Sequence, residues 1–78
     1  MEHQNLITQI KKNSSEVYRI FEKEYEGYKF IDVRIYYMDK ATGEYKPTKK
    51  GISIMPNNVE ELINGILKAM EVMGYEKK

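Results

Sequence analysis

Aromatic rings and ammonium groups gather in one stretch of the chain, YYMDKATGEYKPTKKGISI, which spans residues 36–54. Tyr36 and Tyr37 end an apolar run, and three lysines fall within five residues before a second apolar run begins. Single-stranded nucleic acids expose base faces and phosphates together, and sequence-tolerant binders stack rings on the bases and place cations beside the phosphates. This stretch therefore predicts a hairpin that binds nucleic acid. Its three lysines are Lys46, Lys49 and Lys50.

Ordinary structural roles compete with this interpretation. Tyrosine is common in strands, and solvated lysines keep a sheet edge from aggregating. Strand alternation also places Tyr37 on the side opposite Arg34, so both side chains reach one nucleic acid only where the strand twists, bulges or ends. Asp39 and Glu44 flank a turn without a third ligand, which favours a turn role over a metal site.

The 78-residue chain is long enough for one small domain, which buries only about 60% of its unfolded surface. It contains no cysteine and one histidine, His3, which argues against a disulfide or a zinc site. Because small domains without such links are commonly stabilised by a partner subunit, we expect self-association. The chain has no nucleophile–base pair and no phosphate-cradling glycine loop, so we expect neither catalysis nor a cofactor.

The charge and hydropathy patterns restrict the partners further. A net charge of +1 means that nucleic-acid affinity must come from local clusters of cations. No apolar run approaches the roughly 20 residues of a membrane span, and the N-terminal residues lack the features of a secretory signal. We expect a soluble intracellular protein without membrane contact, in the cytoplasm or nucleoid of a prokaryotic or viral system or in a eukaryotic nucleus.

Four segments with strand-like composition precede one helix-like segment. Asn13 with the two serines after it, and the pair Glu26 and Gly27, are turn signals between the first three strands. We expect residues 39–47 to form the loop before the last strand. The order predicts an α+β fold in which a four-stranded antiparallel sheet is followed by one C-terminal helix (β-β-β-β-α). The predicted strands span residues 1–12, 16–25, 28–38 and 51–55.

The segment 28–38 has the clearest alternation of the four. One side of it is apolar and predicts the face toward the core, whereas the other side mixes rings with a cation and predicts a solvent-facing surface. The first set is Ile31, Val33, Ile35 and Tyr37, and the second set is Phe30, Asp32, Arg34, Tyr36 and Met38.

The C-terminal segment predicts one amphipathic helix. Pro56 suits its first turn, Asn58 and Glu61 are spaced as a capping pair, and Gly74 suits its end. Apolar residues follow the i, i+3, i+4 spacing of a helix face, and this face is wide enough to cover one side of the sheet. They are Val59, Leu62, Ile63, Ile66, Leu67, Met70 and Met73.

Residues 31–54 resemble the positive-cofactor-four family of transcriptional coactivators, which bind single-stranded DNA. The shared pattern is a strand that ends in aromatic residues and Met-Asp, a Gly-Glu turn, Lys-Pro, a basic pair before Gly-Ile-Ser, and a proline-started helix. The similarity is weaker back to about Tyr18 and forward through the helix. The sequence therefore divides into an N-terminal segment, residues 1–15, and a binding and dimerisation domain, residues 16–78. The matching residues are Tyr36-Tyr37-Met38-Asp39, Gly43-Glu44, Lys46-Pro47, Lys49-Lys50-Gly51-Ile52-Ser53 and Pro56.

The resemblance implies a curved sheet and a homodimer whose helices form the interface. Tyr37 stands where the family places a base-stacking tryptophan, Tyr25 stands where it has a phenylalanine, and Lys23 and Arg34 match arginines that contact the DNA backbone. Together, the residues and the resemblance predict two sets of contacts. The nucleic-acid contacts are Lys23, Tyr25, Tyr28, Arg34, Tyr36, Tyr37, Lys46, Pro47, Lys49 and Lys50, and the dimer contacts are Leu62, Ile63, Ile66, Leu67 and Met70.

The chain also departs from the family pattern. Glu26 and Tyr28 replace two lysines at the predicted turn, which predicts weaker binding or binding that depends more on rings than on charge. The leading hypothesis is a homodimer that binds single-stranded DNA, with little sequence preference, in transcription, replication or repair. Melted duplex is a possible target, and transcription or replication proteins are possible partners. The alternatives are a coactivator-like adaptor that binds another protein, and an RNA-binding domain.

Overall fold

The computed structural model describes residues 3–75, which form four strands and one helix in that order. The strands form one antiparallel sheet in chain order. The predicted β-β-β-β-α order is confirmed, whereas residues 1, 2 and 76–78, at the ends of the two predicted segments, lie outside the described residues. The elements are β1 (His3–Lys11), β2 (Glu16–Tyr25), β3 (Tyr28–Asp39), β4 (Glu44–Ile54) and α1 (Pro56–Met73).

Two tight turns set the register of the first three strands, and both lie where the sequence predicts them. The Asn13 side chain accepts hydrogen bonds from the backbone N–H groups of Ser15 (3.0 Å) and Glu16 (2.8 Å), which closes the β1–β2 turn. Glu26 and Gly27 have φ values of 50° and 82°, so both central residues of the β2–β3 turn are left-handed. This turn type matches the twist of paired strands.

The fourth strand begins earlier than predicted. Residues 39–47 were expected to form a loop, but β4 starts at Glu44 and the turn is confined to residues 40–43. Pro47 is tolerated because β4 is an edge strand, where a missing N–H need not break a ladder. Beyond it, residues 48–50 lie opposite the single residue Ile35, and we call this irregularity the β4 bulge.

The buried core lies on the opposite side of the sheet from the one predicted. We call this side the groove face, and it carries Val17 and Phe21, each 4% exposed, and Tyr36, 6% exposed. The predicted core side, which we call the apolar face, is only half-buried or exposed, because within one chain α1 approaches the sheet mainly at β3 and covers little of it. The sequence pattern identified the apolar side correctly, but a single chain does not supply its cover.

The helix begins at Pro56 as predicted, but its cap differs from the prediction. Met55 occupies the N-cap position and no side chain caps the first turn, so the proposed pairing of Asn58 with Glu61 is wrong. At the other end Gly74 adopts φ 75° and donates its backbone N–H to the Glu71 carbonyl, which confirms the predicted glycine cap.

No residue of α1 is buried. The five dimer contacts predicted on the apolar stripe of α1 differ in exposure. Leu62 and Met70 are half-buried. Ile63, Ile66 and Leu67 expose 49%, 53% and 57% of their surface. Over residues 3–75, no helix combines the length and the apolar character needed to cross a membrane.

Gly51 provides a test of how tightly β4 packs after its bulge. A Cβ atom at this position would lie 2.6 Å from the Val33 carbonyl oxygen and 2.9 Å from the Arg34 Cα, and neither backbone atom moves easily. We expect Gly51→Ala to lower the free energy of unfolding by about 1–3 kcal/mol, measured by urea denaturation at a fixed protein concentration.

Gly65→Ala is the matched control, because the same added methyl group meets no atom within 4 Å on α1. Alanine is the better helix former, so this variant should gain about 0.5–1 kcal/mol. Equal stability of the two variants would contradict the close packing of Gly51 against β3.

Candidate nucleic-acid interface

A groove of about 680 Å³ runs over the groove face and brings rings and cations together. Strand alternation explains its composition, because every second residue of β2 and β3 points to this side. Rings form part of its lining and charged side chains form another part. Its lining residues are Gln4, Arg19, Phe21, Lys23, Phe30, Asp32, Arg34, Tyr36, Tyr45, Pro47, Thr48 and Ser53.

An aromatic cluster forms one part of the groove. The ring centroids of Phe21 and Tyr36 lie 5.7 Å apart at a tilt of 37°, and Tyr45 packs against the same cluster. Burial raises the pKa of the Tyr36 hydroxyl, and the negative charge of Asp32 raises it further. Tyr36 is therefore a neutral ring at physiological pH, which suits its position in the buried core.

Beside this cluster, Asp32 anchors an ionic network. It is 2% exposed, and Arg34 donates to both of its carboxylate oxygens at 3.0 Å while the Ser53 hydroxyl donates at 2.8 Å. The Lys23 ammonium lies 3.8 Å from Oδ2. Burial acts to raise the pKa of Asp32, but the hydrogen bonds from Arg34 and Ser53 and the charge of Lys23 outweigh it and leave the pKa below 3.8.

Arg34 also fixes the β4 bulge. Its Nη1 donates to the Thr48 carbonyl oxygen at 3.1 Å, and the Thr48 hydroxyl donates to the Ile35 carbonyl oxygen at 2.7 Å. The same hydroxyl oxygen accepts from the Lys50 backbone N–H at 3.1 Å. The bulge that presents Lys49 and Lys50 is therefore tied to β3 from both sides.

Four of the residues predicted to contact nucleic acid line the groove: Lys23, Arg34, Tyr36 and Pro47. Tyr25 lines an adjoining depression of about 440 Å³, to which Lys23 and Phe30 also contribute. Tyr28 lies directly opposite Tyr25 across the turn and is 68% exposed. These residues form one continuous strip of rings and cations from the groove to the β2–β3 turn.

The other predicted contacts lie away from the groove. Tyr37 is 41% exposed and points to the apolar face, because β3 continues without a bulge from Arg34 through Tyr37 in its pairing with β2. Lys46 pairs with Asp39 at 2.8 Å, and this contact holds the pKa of Asp39 below 3.8. Lys50 lines a depression on the apolar face, while Lys49 is exposed on the bulge. Contact of these side chains with nucleic acid remains a prediction.

Sequence reasoning missed eight of the twelve residues that line the groove, and four of the eight carry rings or cations. Each of these four shares the groove face with Lys23 or Tyr36 by strand alternation. The available signal was the alternation of β2 itself, in which every second position from Val17 to Tyr25 belongs to this face. The missed aromatic and cationic residues are Arg19, Phe21, Phe30 and Tyr45.

The ionic network predicts an acid-sensitive core. Asp32→Asn removes the charge that Arg34 pairs with and turns an amide N–H₂ toward its donors. We expect a loss of stability on the order of 2 kcal/mol, less than for a fully buried pair because the Arg34 side chain is 22% exposed. Urea denaturation of both proteins at neutral pH measures this difference.

The same variant tests the pKa of Asp32. A carboxyl whose folded pKa is lowered stabilises the fold above its unfolded pKa, and this contribution disappears as the pH falls through the folded pKa. Asp32→Asn should therefore lose less stability than the wild type between about pH 5 and pH 2. Glu60→Gln is the control, since this carboxyl lies on the exposed surface of α1. Identical acid slopes for all three proteins would contradict the role of Asp32.

Comparison with known proteins places this sheet and helix in a family. The sequence pattern of the family described as Transcriptional Coactivator p15 (PC4) matches residues 12–65. The RNA polymerase II transcriptional coactivator SUB1 of Saccharomyces cerevisiae is 38% identical over 55 residues, which cover 70% of this chain but only 19% of the yeast protein.

Solved structures agree with this match. A crystal structure of a PC4 homolog from Burkholderia pseudomallei superposes with a TM-score of 0.80 at 33% identity, over 86% of this chain and 97% of that one. A second crystal form of the homolog gives a TM-score of 0.78 at 34% identity, over 83% and 86% of the two chains. The fold, the pattern of residues 12–65 and the yeast relative agree, and the chain belongs to the PC4 family of transcriptional coactivators.

Proposed function

We propose that this protein binds single-stranded DNA as a homodimer and without catalysis. The observation that carries the proposal is the groove with its extension to the β2–β3 turn, in which the half-buried rings of Tyr45 and Phe30 and the exposed ring of Tyr25 lie near the side chains of Lys23 and Arg19. Rings stack on unpaired bases and contribute about 1–3 kcal/mol per base, whereas cations neutralise phosphates. Membership of a transcriptional coactivator family supports a role in transcription, and replication or repair would use the same chemistry.

The groove favours a single strand over a duplex for a physical reason. Base faces are stacked on one another inside a duplex, so rings that lie in the floor of a groove reach them only when the strand is unpaired. The rings at the β2–β3 turn extend the same surface, because Tyr25 and Tyr28 are 51% and 68% exposed. A strand that follows this face meets rings over its whole length.

Exposed apolar side chains support the homodimer. Ile66 and Leu67 on α1, and Ile52 and Tyr18 on the apolar face, are each at least 36% exposed. A depression of about 320 Å³ on the same side is almost wholly apolar. Surfaces of this kind are uncommon on monomers and mark an interface. A second copy supplies matching helices and a matching sheet face, as a two-fold interface requires.

The exposed Lys49 of the β4 bulge provides the first test. Fluorescence anisotropy of a labelled single strand of about 20 nucleotides, across a salt series, gives both the affinity and its salt slope. Replacing Lys49 with alanine should weaken binding and reduce the slope by about 0.7, the contribution of one phosphate contact on a single strand.

Lys68→Ala is the control, because this exposed lysine lies on α1 and pairs with Glu71 at 3.1 Å. It should leave the slope unchanged. Unlabelled duplex should compete poorly, and an RNA strand of the same sequence tests the RNA-binding alternative. If the wild type fails to bind single-stranded DNA at low salt, the proposed function is wrong and the protein-partner hypothesis leads.

A charge placed on the helix stripe tests the homodimer. Ile66→Asp puts a carboxylate among the exposed apolar residues of α1, and burying an unpaired charge at an interface costs several kcal/mol. We expect the dimer to dissociate in sedimentation velocity experiments.

Asn64→Asp introduces the same charge on the other side of the helix, because two residues correspond to about 200° of rotation. This control should remain dimeric. A wild type that sediments as a monomer, or an Ile66→Asp variant that stays dimeric, would contradict the helix-mediated interface.

A further inference from the structure

Arg19 lies in the groove on the inner strand β2, and its guanidinium is held from three directions. Its Cζ atom lies 4.9 Å from the ring centroid of Tyr36 and 5.1 Å from that of Tyr45. Its Nε donates to the Gln9 side-chain oxygen at 2.8 Å. Cation–π contacts and a hydrogen bond together restrict a side chain that is otherwise flexible.

The terminal nitrogens of Arg19, Nη1 and Nη2, make no hydrogen bond or ion pair among residues 3–75. Over residues 3–75, the hydrogen bonds and ion pairs of Arg19 involve only Nε. Arg34 lies directly opposite on β3 and differs, because its Nε, Nη1 and Nη2 all donate to protein oxygens. Arg19 therefore presents Nη1 and Nη2 as a planar, orientated fork, which suits a ligand with two adjacent acceptors.

Two acceptor pairs on a nucleic acid fit such a fork, the oxygens of a phosphate and the O6 and N7 atoms of guanine. The surroundings favour guanine. The ring of Tyr45 beside Arg19 is half-buried, and so is Phe30 farther along the groove. A base that packs on these rings brings its edge to the fork.

We propose that Arg19 is a specificity-determining residue that reads the O6 and N7 edge of one guanine per groove. The inference rests on the proposed single-stranded DNA binding and adds a base preference to it. Binding elsewhere along the strand stays sequence-tolerant, because stacking and phosphate contacts accept any base.

Three labelled strands of equal length test this reading: alternating thymine–guanine, alternating thymine–adenine, and thymine–guanine with 7-deazaguanine, which keeps O6 but lacks N7. The wild type should bind the guanine strand about tenfold more tightly than the adenine strand, as expected for one bidentate base contact. The 7-deazaguanine strand should lose most of this preference.

Arg19→Met keeps an unbranched side chain but removes every N–H donor, so it should bind the guanine and adenine strands equally. Its salt slope should fall by less than the roughly 0.7 of one lost phosphate contact. Lys23→Ala is the matched control on the same strand and face, and it should weaken both strands by the same factor. Its preference for guanine should persist.

The outcomes separate this inference from the proposed function. Equal wild-type affinity for the guanine and adenine strands overturns the guanine reading but leaves single-strand binding intact. A guanine preference that survives in Arg19→Met assigns base reading to another residue and also overturns it. If Arg19→Met weakens both strands by the same factor, Arg19 is a general binding residue and the guanine reading is likewise overturned. Failure of the wild type to bind any strand overturns both proposals.

Discussion

The bidentate ion pair between Arg34 and Asp32 is the constraint on which the groove depends. Removing a carboxylate from water is unfavourable unless strong donors replace the solvent, and here Arg34 and Ser53 do so from β3 and β4. A third N–H of the Arg34 guanidinium, on Nη1, donates to the Thr48 carbonyl oxygen and holds the β4 bulge. One charge pair therefore joins the sheet interior to the edge strand that carries the lysine pair.

The buried side chains lie on the more polar groove face, whereas an isolated small domain would be expected to bury its apolar face. The groove face contains the few buried side chains, among them Phe21 and Tyr36, while the larger apolar face and the stripe of α1 stay largely open. A domain of this size is marginally stable even with a well-covered core. The proposed division of the two faces between DNA and a second copy would give each face its own partner, and it would account for both the polar groove and the exposed helix.

Local patterns predicted the elements well, and three-dimensional context decided the rest. Alternation and turn residues identified β2, β3 and the Glu26-Gly27 turn, because these signals act between sequence neighbours. The start of β4 was misjudged because Pro47 is a strand breaker in general but acceptable on an edge. Burial of Asp32 was unpredictable from its sequence neighbours, since two of its three partners, Lys23 and Ser53, lie on other strands and an Asp residue usually lies at the surface.

The two arginines of the groove also show that a sequence pattern does not predict which contacts a side chain makes in the folded protein. Arg34 occupies the position that the family pattern associates with the DNA backbone, yet each of its three guanidinium nitrogens donates within the protein and only two of its five N–H groups remain. Arg19 lies directly opposite Arg34 on β2 and matches no motif in the sequence. Among residues 3–75 its Nη1 and Nη2 make no hydrogen bond. The neutralised Arg34 also lets a second guanidinium lie opposite it, because Asp32 compensates a charge that would otherwise repel Arg19. Residue type at a matched position therefore fixes the chemistry that is available, whereas the surrounding side chains decide which arginine is bound within the sheet. The other arginine keeps its terminal nitrogens without hydrogen bonds among residues 3–75.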